Sequence, residues 1–472
     1  MAIDEKTVEK IVRSVVDNLA GSQNASSLKA SSIATSKDGL FDNIEDAIKA
    51  AKTAQQKLSA MGKDIRYKIV DSIKEACREH VERLARITVD ETEMGNYEDK
   101  VLKVQVSIDY SVGPEDLEIE TYSSDSGTQT FEMAPWGVIG AITPMTNPTP
   151  MIINNSIVMI SAGNSIVFLP HPKANKCTLE AFKIVHQAIV DAGGPPNLIT
   201  ATREAKIKNV SNIFKSPDVD MICATGGPAI VELSMKSGKK AIGAGPGNPP
   251  VIVDDTADIA KAAEEIAFGA AFDNNVLCND EKIIILMRSI ADKFLSEIAR
   301  HNTVVLNADQ ASKVTDLVVK DNEIVKELMG KDCTVLLKRA GADVGGQPKL
   351  AVFVADSESH PLVQHEQLLP VVPILLVDTF EEAVEIAVRV EHGFKHTAMI
   401  HSNNLERITN FGQRIGTTNY IVNGHSQRSA GKVSEGGTAW TLAGATGEGH
   451  ASPRTFTRQR KITFYGSMNF VK

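Results

Sequence analysis

The sequence predicts an α/β protein built from doubly wound parallel sheets, and three observations carry that prediction. From about residue 128 onward, short apolar runs alternate with helical stretches, the order in which strands and crossover helices follow one another in such sheets. The alternation starts again after Cys278, so two α/β units succeed each other. Ahead of them, residues 41 to about 112 are helical in pattern throughout, with dense i, i+3, i+4 apolar spacing over 63–89.

Taken in order, residues 1–20 place Val8, Ile11, Val12, Val15, Val16 and Leu19 at helical spacing and fill the other faces with charge, which predicts a short amphipathic helix. Residues 21–40 are rich in Ser, Ala, Asn and Lys without apolar periodicity and read as a flexible linker. From composition alone the helix is expected to fold back onto its own domain; it fits neither a secretory signal nor a mitochondrial presequence. Ahead of Cys278, segments 138–142, 165–169, 219–223 and 251–253 read as strands. After it, 282–287, 371–377 and 397–400 read as strands and 290–300, 380–390 and 404–414 as helices. The last segment, 455–470, alternates as a strand that adds to a sheet outside its own domain. No repeat of solenoid length is evident.

At 472 residues, 42% hydrophobic and 23% charged, the chain has material for two or three domains. A formal charge of -9 argues against a nucleic-acid groove or an anionic membrane face. The richest apolar run, 368–377, carries two prolines and falls short of the about 18 residues a membrane span needs. Five cysteines, scattered and without CxxC spacing, point to a reducing interior and give no metal site.

Cys278 closes the segment 272–278 between a helical run and a strand run, where a thiol can face a cleft, and is the candidate nucleophile. Cys77, Cys177 and Cys223 lie within helical or strand patterns and read as small buried hydrophobes. The stretch 241–250 is built of Gly and Pro, with no carboxylate before Asp254, so it supplies no base to activate water. Asn147, at the end of 133–148, offers an amide for a developing oxyanion, although Asn-Pro alone is a turn signal. Thr225-Gly226-Gly227 follows a strand and precedes a helix, a turn that lets a phosphate or ribose approach. Glu366 stands just before a buried strand. His171, after a strand, has two open readings, a cofactor or CoA contact and a turn histidine; His365 and His425 are equally open. Lys236, Lys239 and Lys240 either attract phosphates or are a solvated face.

In this order the five elements, 133–148, 224–228, 243–250, Cys278 and 366–373, resemble the aldehyde dehydrogenase superfamily from about residue 41 onward. Ala244 to Pro250, Asp273-Asn274-Asn275, and 446–449 followed by 454–458 resemble its CoA-acylating branch, the propionaldehyde and acetaldehyde enzymes of bacterial microcompartments. The resemblance implies that Cys278 attacks the aldehyde, that Asn147 and the Cys278 N–H hold the oxyanion, and that hydride leaves to NAD. Thr143, Pro144, His171, Thr225, Gly226, Gly227, Glu366 and Leu368 are then the expected cofactor contacts, with Glu366 on the nicotinamide ribose. Hydrolytic members carry a glutamate where this chain has Gly243 or Ala244, so the Cys278 thioester is expected to pass to the CoA thiol.

The implied architecture is the aldehyde dehydrogenase fold. It has a Rossmann-like cofactor domain (41–118 and 135–247), a catalytic domain (248–455) and a bridging β oligomerisation element (119–134 and 456–472) giving homodimers or tetramers. Residues 1–20 become an encapsulation peptide that docks on a shell protein, which places the protein in a microcompartment lumen. Two rivals remain: a hydrolytic enzyme making a carboxylate, and a catalytically silent shell-binding protein. Glu93 stands where the resembled segment carries glycine, so that turn is expected to differ. Gln427, Arg428 and Lys432 make the expected acyl pocket polar.

Overall fold

Asn43 and Asn96 open two of the first four helices by accepting the N–H of Asp46 and Asp99, the local signal that starts a helix. In the computed structural model, which describes residues 36–342, 344–430, 437–466 and Met468, these helices are Ile44–Ala60, Asp64–Arg78, Val81–Thr92 and Tyr97–Asp109. The helix expected over 1–20, and the linker as far as residue 35, lie outside the described residues. The remainder of that linker, Ser36 to Leu40, is tied down: Asp38 pairs with Arg203 at 3.0 Å, and strand β1 (Leu40–Phe41) joins a parallel sheet. The turn at Glu93 keeps the left-handed geometry that a glycine would take, with φ of 52°. Lys331 ties it down by binding both the Glu93 carboxylate (2.8 Å) and its carbonyl (3.0 Å).

A hairpin of β2 (Glu120–Ser124) and β3 (Gly127–Pro135) leads into the first sheet: β4 (Val138–Ile142), β5 (Ser165–Leu169), β6 (Ile199–Thr202), β7 (Met221–Thr225) and β8 (Lys240–Ala244). The strand order is β1-β6-β5-β4-β7-β8. The fifth strand starts two residues later than the apolar run suggests, because its ladder with β8 runs on to Thr225↔Ala244. The strand β8 itself falls in what the composition reads as a Gly/Pro loop. Pairing and burial of Ile242, Gly243 and Ala244 override the low β-propensity of Lys and Gly.

The second sheet holds β9 (Pro250–Val253), β10 (Ile283–Met287) and β11 (Thr303–Val305). After a small pair, β12 (Val319–Lys320) and β13 (Glu323–Ile324), it continues with β14 (Leu350–Val354), β15 (Val371–Val377), β16 (Thr397–His401) and β17 (Asn419–Val422). The order is β11-β14-β15-β10-β9-β16-β17. A short pair, β18 (Leu442–Ala443) and β19 (Gly449–His450), precedes β20 (Thr457–Tyr465). This last strand finds its partner within the chain, pairing antiparallel with all of β3 in the order β2-β3-β20. No helix among the described residues is long and apolar enough to cross a membrane.

In each large sheet one strand, β4 in the first and β9 in the second, has later strands on both sides, so the winding reverses there. Ligands bind outside the carboxyl ends of strands at such a reversal. The carboxyl ends of the first sheet meet the amino ends of the second, linked through residues 245–249. The Lys282 N–H bonds to Pro249 O at 3.1 Å, and the Gly247 N–H bonds to Glu366 Oε1 at 3.2 Å.

Candidate active site

Where the helix Ile259–Ala271 ends, Asp273, Asn274 and Asn275 follow with φ of 48°, 57° and 63°. Asp and Asn tolerate left-handed backbone better than other side chains, yet each such residue costs about 1 kcal/mol or more unless its surroundings hold it. Here they do. Asp273 receives Lys100 at 2.7 Å, Lys103 on the same oxygen, and the Asn96 N–H at 3.1 Å. Asn274 donates to Gly330 O and Asp332, and Asn275 to Ala270 O and Glu281 O. The turn delivers Cys278 to the amino end of β10. It is the only half-exposed cysteine among the five; the other four are buried. Burial pushes its thiol up to about 12, with Glu366 adding to the rise and Lys282 opposing it.

Gly247 is required where it stands: a Cβ there would come 2.4 Å from Cys278 O and 3.0 Å from the His396 ring. Only glycine lets the stretch from the first sheet lie on the nucleophile's backbone. Asn248 fixes that stretch by donating to Val363 O and Val390 O. At Gly243 a Cβ would meet Val231 Cγ1 at 2.6 Å, and Ala244 is buried, so the strand edge is filled where a water-activating carboxylate would project.

Asn147 precedes the helix Pro148–Ser161. It is buried, with Nδ2 3.3 Å from Thr146 Oγ1 and Oδ1 unpartnered among the described residues. Lys100 ties the residue before it to the turn ahead of Cys278, reaching Thr146 O at 3.4 Å as well as Asp273. Burial pushes Glu366 up to about 7 against the pull of Lys282. Leu368 takes a left-handed φ of 48° and its carbonyl accepts the Gly330 N–H.

Several groups here escape a reading of pattern alone. Lys282 is buried and donates to Asn275 O (2.7 Å) and Leu277 O (3.0 Å); burial lowers its pKa. Asp280, its carboxyl pushed well up by burial, accepts Gln427 Nε2 at 2.6 Å. Glu281 is raised by burial to about 7 and accepts both the N–H and hydroxyl of Ser426 at 2.8 Å. His396, beside Gly247, is held neutral by burial, which lowers its pKa to about 3. Lys100 and Lys103 occupy one buried face of their helix with Val104 and Ser107; two lysines three apart among apolar neighbours were the available signal. His396 carried none.

Thr143, Pro144, His171, Thr225, Gly226 and Gly227 all lie at the carboxyl ends of the first sheet, around the reversal at β4. The residues fit a dinucleotide: the Thr225 hydroxyl is buried without a partner among the described residues, a Cβ on Gly227 would touch nothing, and one on Gly226 only Ile230. His171 accepts the Lys173 N–H at 3.1 Å, a turn cap. His425 accepts the Gln427 N–H and meets the Phe268 ring at a 51° tilt with centroids 4.5 Å apart. The lysine cluster is engaged internally: Lys236 with Glu232, Lys240 with Glu448, and Lys239 with the Ser216 and Val219 carbonyls.

The aldehyde dehydrogenase family pattern matches residues 22–462. An acetaldehyde dehydrogenase (acetylating) of Escherichia coli is 36% identical over 476 residues, spanning 99% of this chain and 100% of the relative. A Rhodopseudomonas palustris propionaldehyde dehydrogenase, solved with bound CoA and an acylated cysteine, superposes with a TM-score of 0.90 at 38% identity over 92% of this chain and 100% of its own. A propionaldehyde dehydrogenase from the Clostridium phytofermentans fucose utilisation bacterial microcompartment does so at 39% identity and 0.90, with the same coverage. Matched over most of its length in sequence and in fold, the chain belongs to the aldehyde dehydrogenase family.

Proposed function

We propose that the chain is a CoA-acylating aldehyde dehydrogenase that converts a short-chain aldehyde, propionaldehyde or acetaldehyde, with CoA and NAD to acyl-CoA and NADH. The observation that carries this reading is a partly exposed Cys278 in a chain whose strand end offers Gly243 and Ala244, not a carboxylate, at the positions where hydrolytic members carry a glutamate. The Cys278 sulfur attacks the carbonyl, with the Lys282 charge favouring its thiolate. Asn147 Nδ2 and the Cys278 N–H stabilise the oxyanion. The bound dinucleotide supplies the hydride acceptor; Thr143, Pro144, Thr225, Gly226, Gly227, Glu366 and Leu368 orient it, with His171 at the rim. The thioester then yields to the CoA thiol. His396, whose ring stands beside Gly247, borders the thioester: in variants of the Clostridium enzyme solved with a cysteine or a histidine replaced, the two positions are as far apart in sequence as Cys278 and His396.

The proposal extends to assembly. The outer edge of β20 carries exposed Phe464 and Tyr465, which supports pairing with a second copy as a dimer or tetramer. The microcompartment origin of a solved relative supports docking of residues 1–20 on a shell protein inside a compartment. The test of the activity is NADH formation from propionaldehyde with and without CoA. Sustained turnover is expected only with CoA; full turnover without it would establish the hydrolytic enzyme instead, and no NADH under either condition the silent shell-binding protein.

A further inference from the structure

Lys282 is fully buried, and its side chain bonds only to the loop that bears the nucleophile. Its main chain is pinned at the entry to β10: the N–H donates to Pro249 O at 3.1 Å and the carbonyl accepts Gln367 Nε2 at 2.8 Å. From there the side chain turns back and donates to Asn275 O (2.7 Å), Asn275 Oδ1 and Leu277 O (3.0 Å). Three acceptors match the three N–H bonds of an ammonium; a neutral amine has only two. None of these bonds ends on a carboxylate. The neighbouring acids are engaged elsewhere, Asp280 by the Leu277 N–H and Gln427 and Glu281 by Ser426. Burying a charge away from a counter-ion is costly, and what this one gains in return is a grip on the backbone just ahead of Cys278.

Leu277 O and the Cys278 N–H are the two ends of one peptide group. That group is planar and trans, so its carbonyl and its N–H point in opposite directions. Lys282 Nζ holds the carbonyl, with the Asp280 N–H on the same oxygen at 3.2 Å. The plane is thereby fixed, and the Cys278 N–H points away from the ammonium, donating to no other described residue. A positive charge at the carbonyl end of an amide also polarises it and strengthens the donor at the other end. We propose that Lys282 is the positioning residue of the oxyanion site: it orients and polarises the Leu277–Cys278 peptide so that the Cys278 N–H receives the oxygen on which charge develops, both when the aldehyde is attacked and when the thioester is. The inference rests on the CoA-acylating reading, in which that N–H is an oxyanion donor, and gives Lys282 a role separate from its effect on the thiol.

The test separates a charge that acts on the sulfur from one that acts on the oxygen. Acetylation of Cys278 by p-nitrophenyl acetate passes through an oxyanion: Sγ adds to the carbonyl carbon, the π pair moves to oxygen, and p-nitrophenolate leaves as the carbonyl re-forms, the thiol proton going to solvent. Alkylation by iodoacetamide forms an S–C bond as iodide leaves and develops no charge on oxygen. Both reactions need the thiolate, so the ratio of their second-order rate constants at one pH cancels its supply; Cys278→Ala serves as the blank. Lys282→Met, close in length but without charge or donors, should lower acetylation relative to alkylation about tenfold, short of the roughly 10²–10³-fold loss that follows removal of an oxyanion donor. An unchanged ratio, with both rates falling together or neither falling, overturns the proposal, as does a parent enzyme that is alkylated but releases no nitrophenolate. Should Lys282→Met fail to fold, Lys282→Gln offers the same oxygens an amide without the charge; the ratio must fall there too, and an unchanged ratio overturns the proposal. NADH formation from propanal by the parent, with and without CoA, is recorded alongside, so a failure of the CoA-acylating reading appears there and not in the ratio.

Discussion

Asn147 follows a strand of the first sheet and Cys278 precedes one of the second, and Lys100 links the two segments by binding Thr146 O and Asp273 at once. An amide placed to donate to an oxyanion contributes mainly when charge develops, so Asn147→Ala should lower kcat by about 10²-fold or more with little change in KM, read in steady-state assays of CoA-dependent NADH formation. Glu281 makes a different kind of prediction. Burial raises it from 4.5 to about 7, so between those pH values the unfolded chain has released a proton that the folded chain still holds. Its contribution to stability is full below about 4.5 and is lost as pH rises through about 7. Thermal midpoints recorded from pH 5 to 8 should therefore fall across that window, and Glu281→Gln should flatten the slope. Glu366, raised to about 7 for the same reason, acts in the same direction and leaves a residual slope in the variant.

The left-handed turn 273–275 is the element on which the site depends, and its anchor is ionic. Asp273→Asn keeps a side chain that tolerates the backbone but leaves Lys100 and Lys103 facing each other unpaired in the interior. Breaking such a buried cluster should cost about 3–5 kcal/mol, measured as a shift of the urea midpoint, and should depress activity beyond what lost stability explains. This turn was legible only in part. The residues Asp273-Asn274-Asn275 stand out by type, and Asn after Asn permits positive φ, but the lysines that hold Asp273 come from a helix about 170 positions earlier, a separation no local pattern reports. Apolar alternation located β4, β5, β10, β15 and β16 because those strands are buried on both faces and read as continuous apolar runs. It missed β8, whose Lys, Gly and Ala take strand geometry only through the partner β7, and β1, two residues long, for the same reason. At Glu93 the backbone is left-handed, the region that favours glycine, and a lysine distant in sequence holds it there.

At the scale of the whole molecule, β20 runs along β3 for its full length and presents its other edge outward with Phe464 and Tyr465. If β20 pairs two copies as proposed, removing residues 457–472 should leave only monomers in size-exclusion chromatography with light scattering, and an unchanged mass places the interface elsewhere. The path between the two sheets has a further consequence. The chain crosses through residues 245–249, and Gly247 in that crossing touches the Cys278 carbonyl. Any rotation of one sheet against the other pivots on atoms already in contact with the reacting centre, so hinge and nucleophile are mechanically one part. The alkylation rate of Cys278 by iodoacetamide is then a gauge of domain position: adding NAD, whose proposed contacts lie mainly on the first sheet, should change that rate several-fold, while the four buried cysteines stay unlabelled.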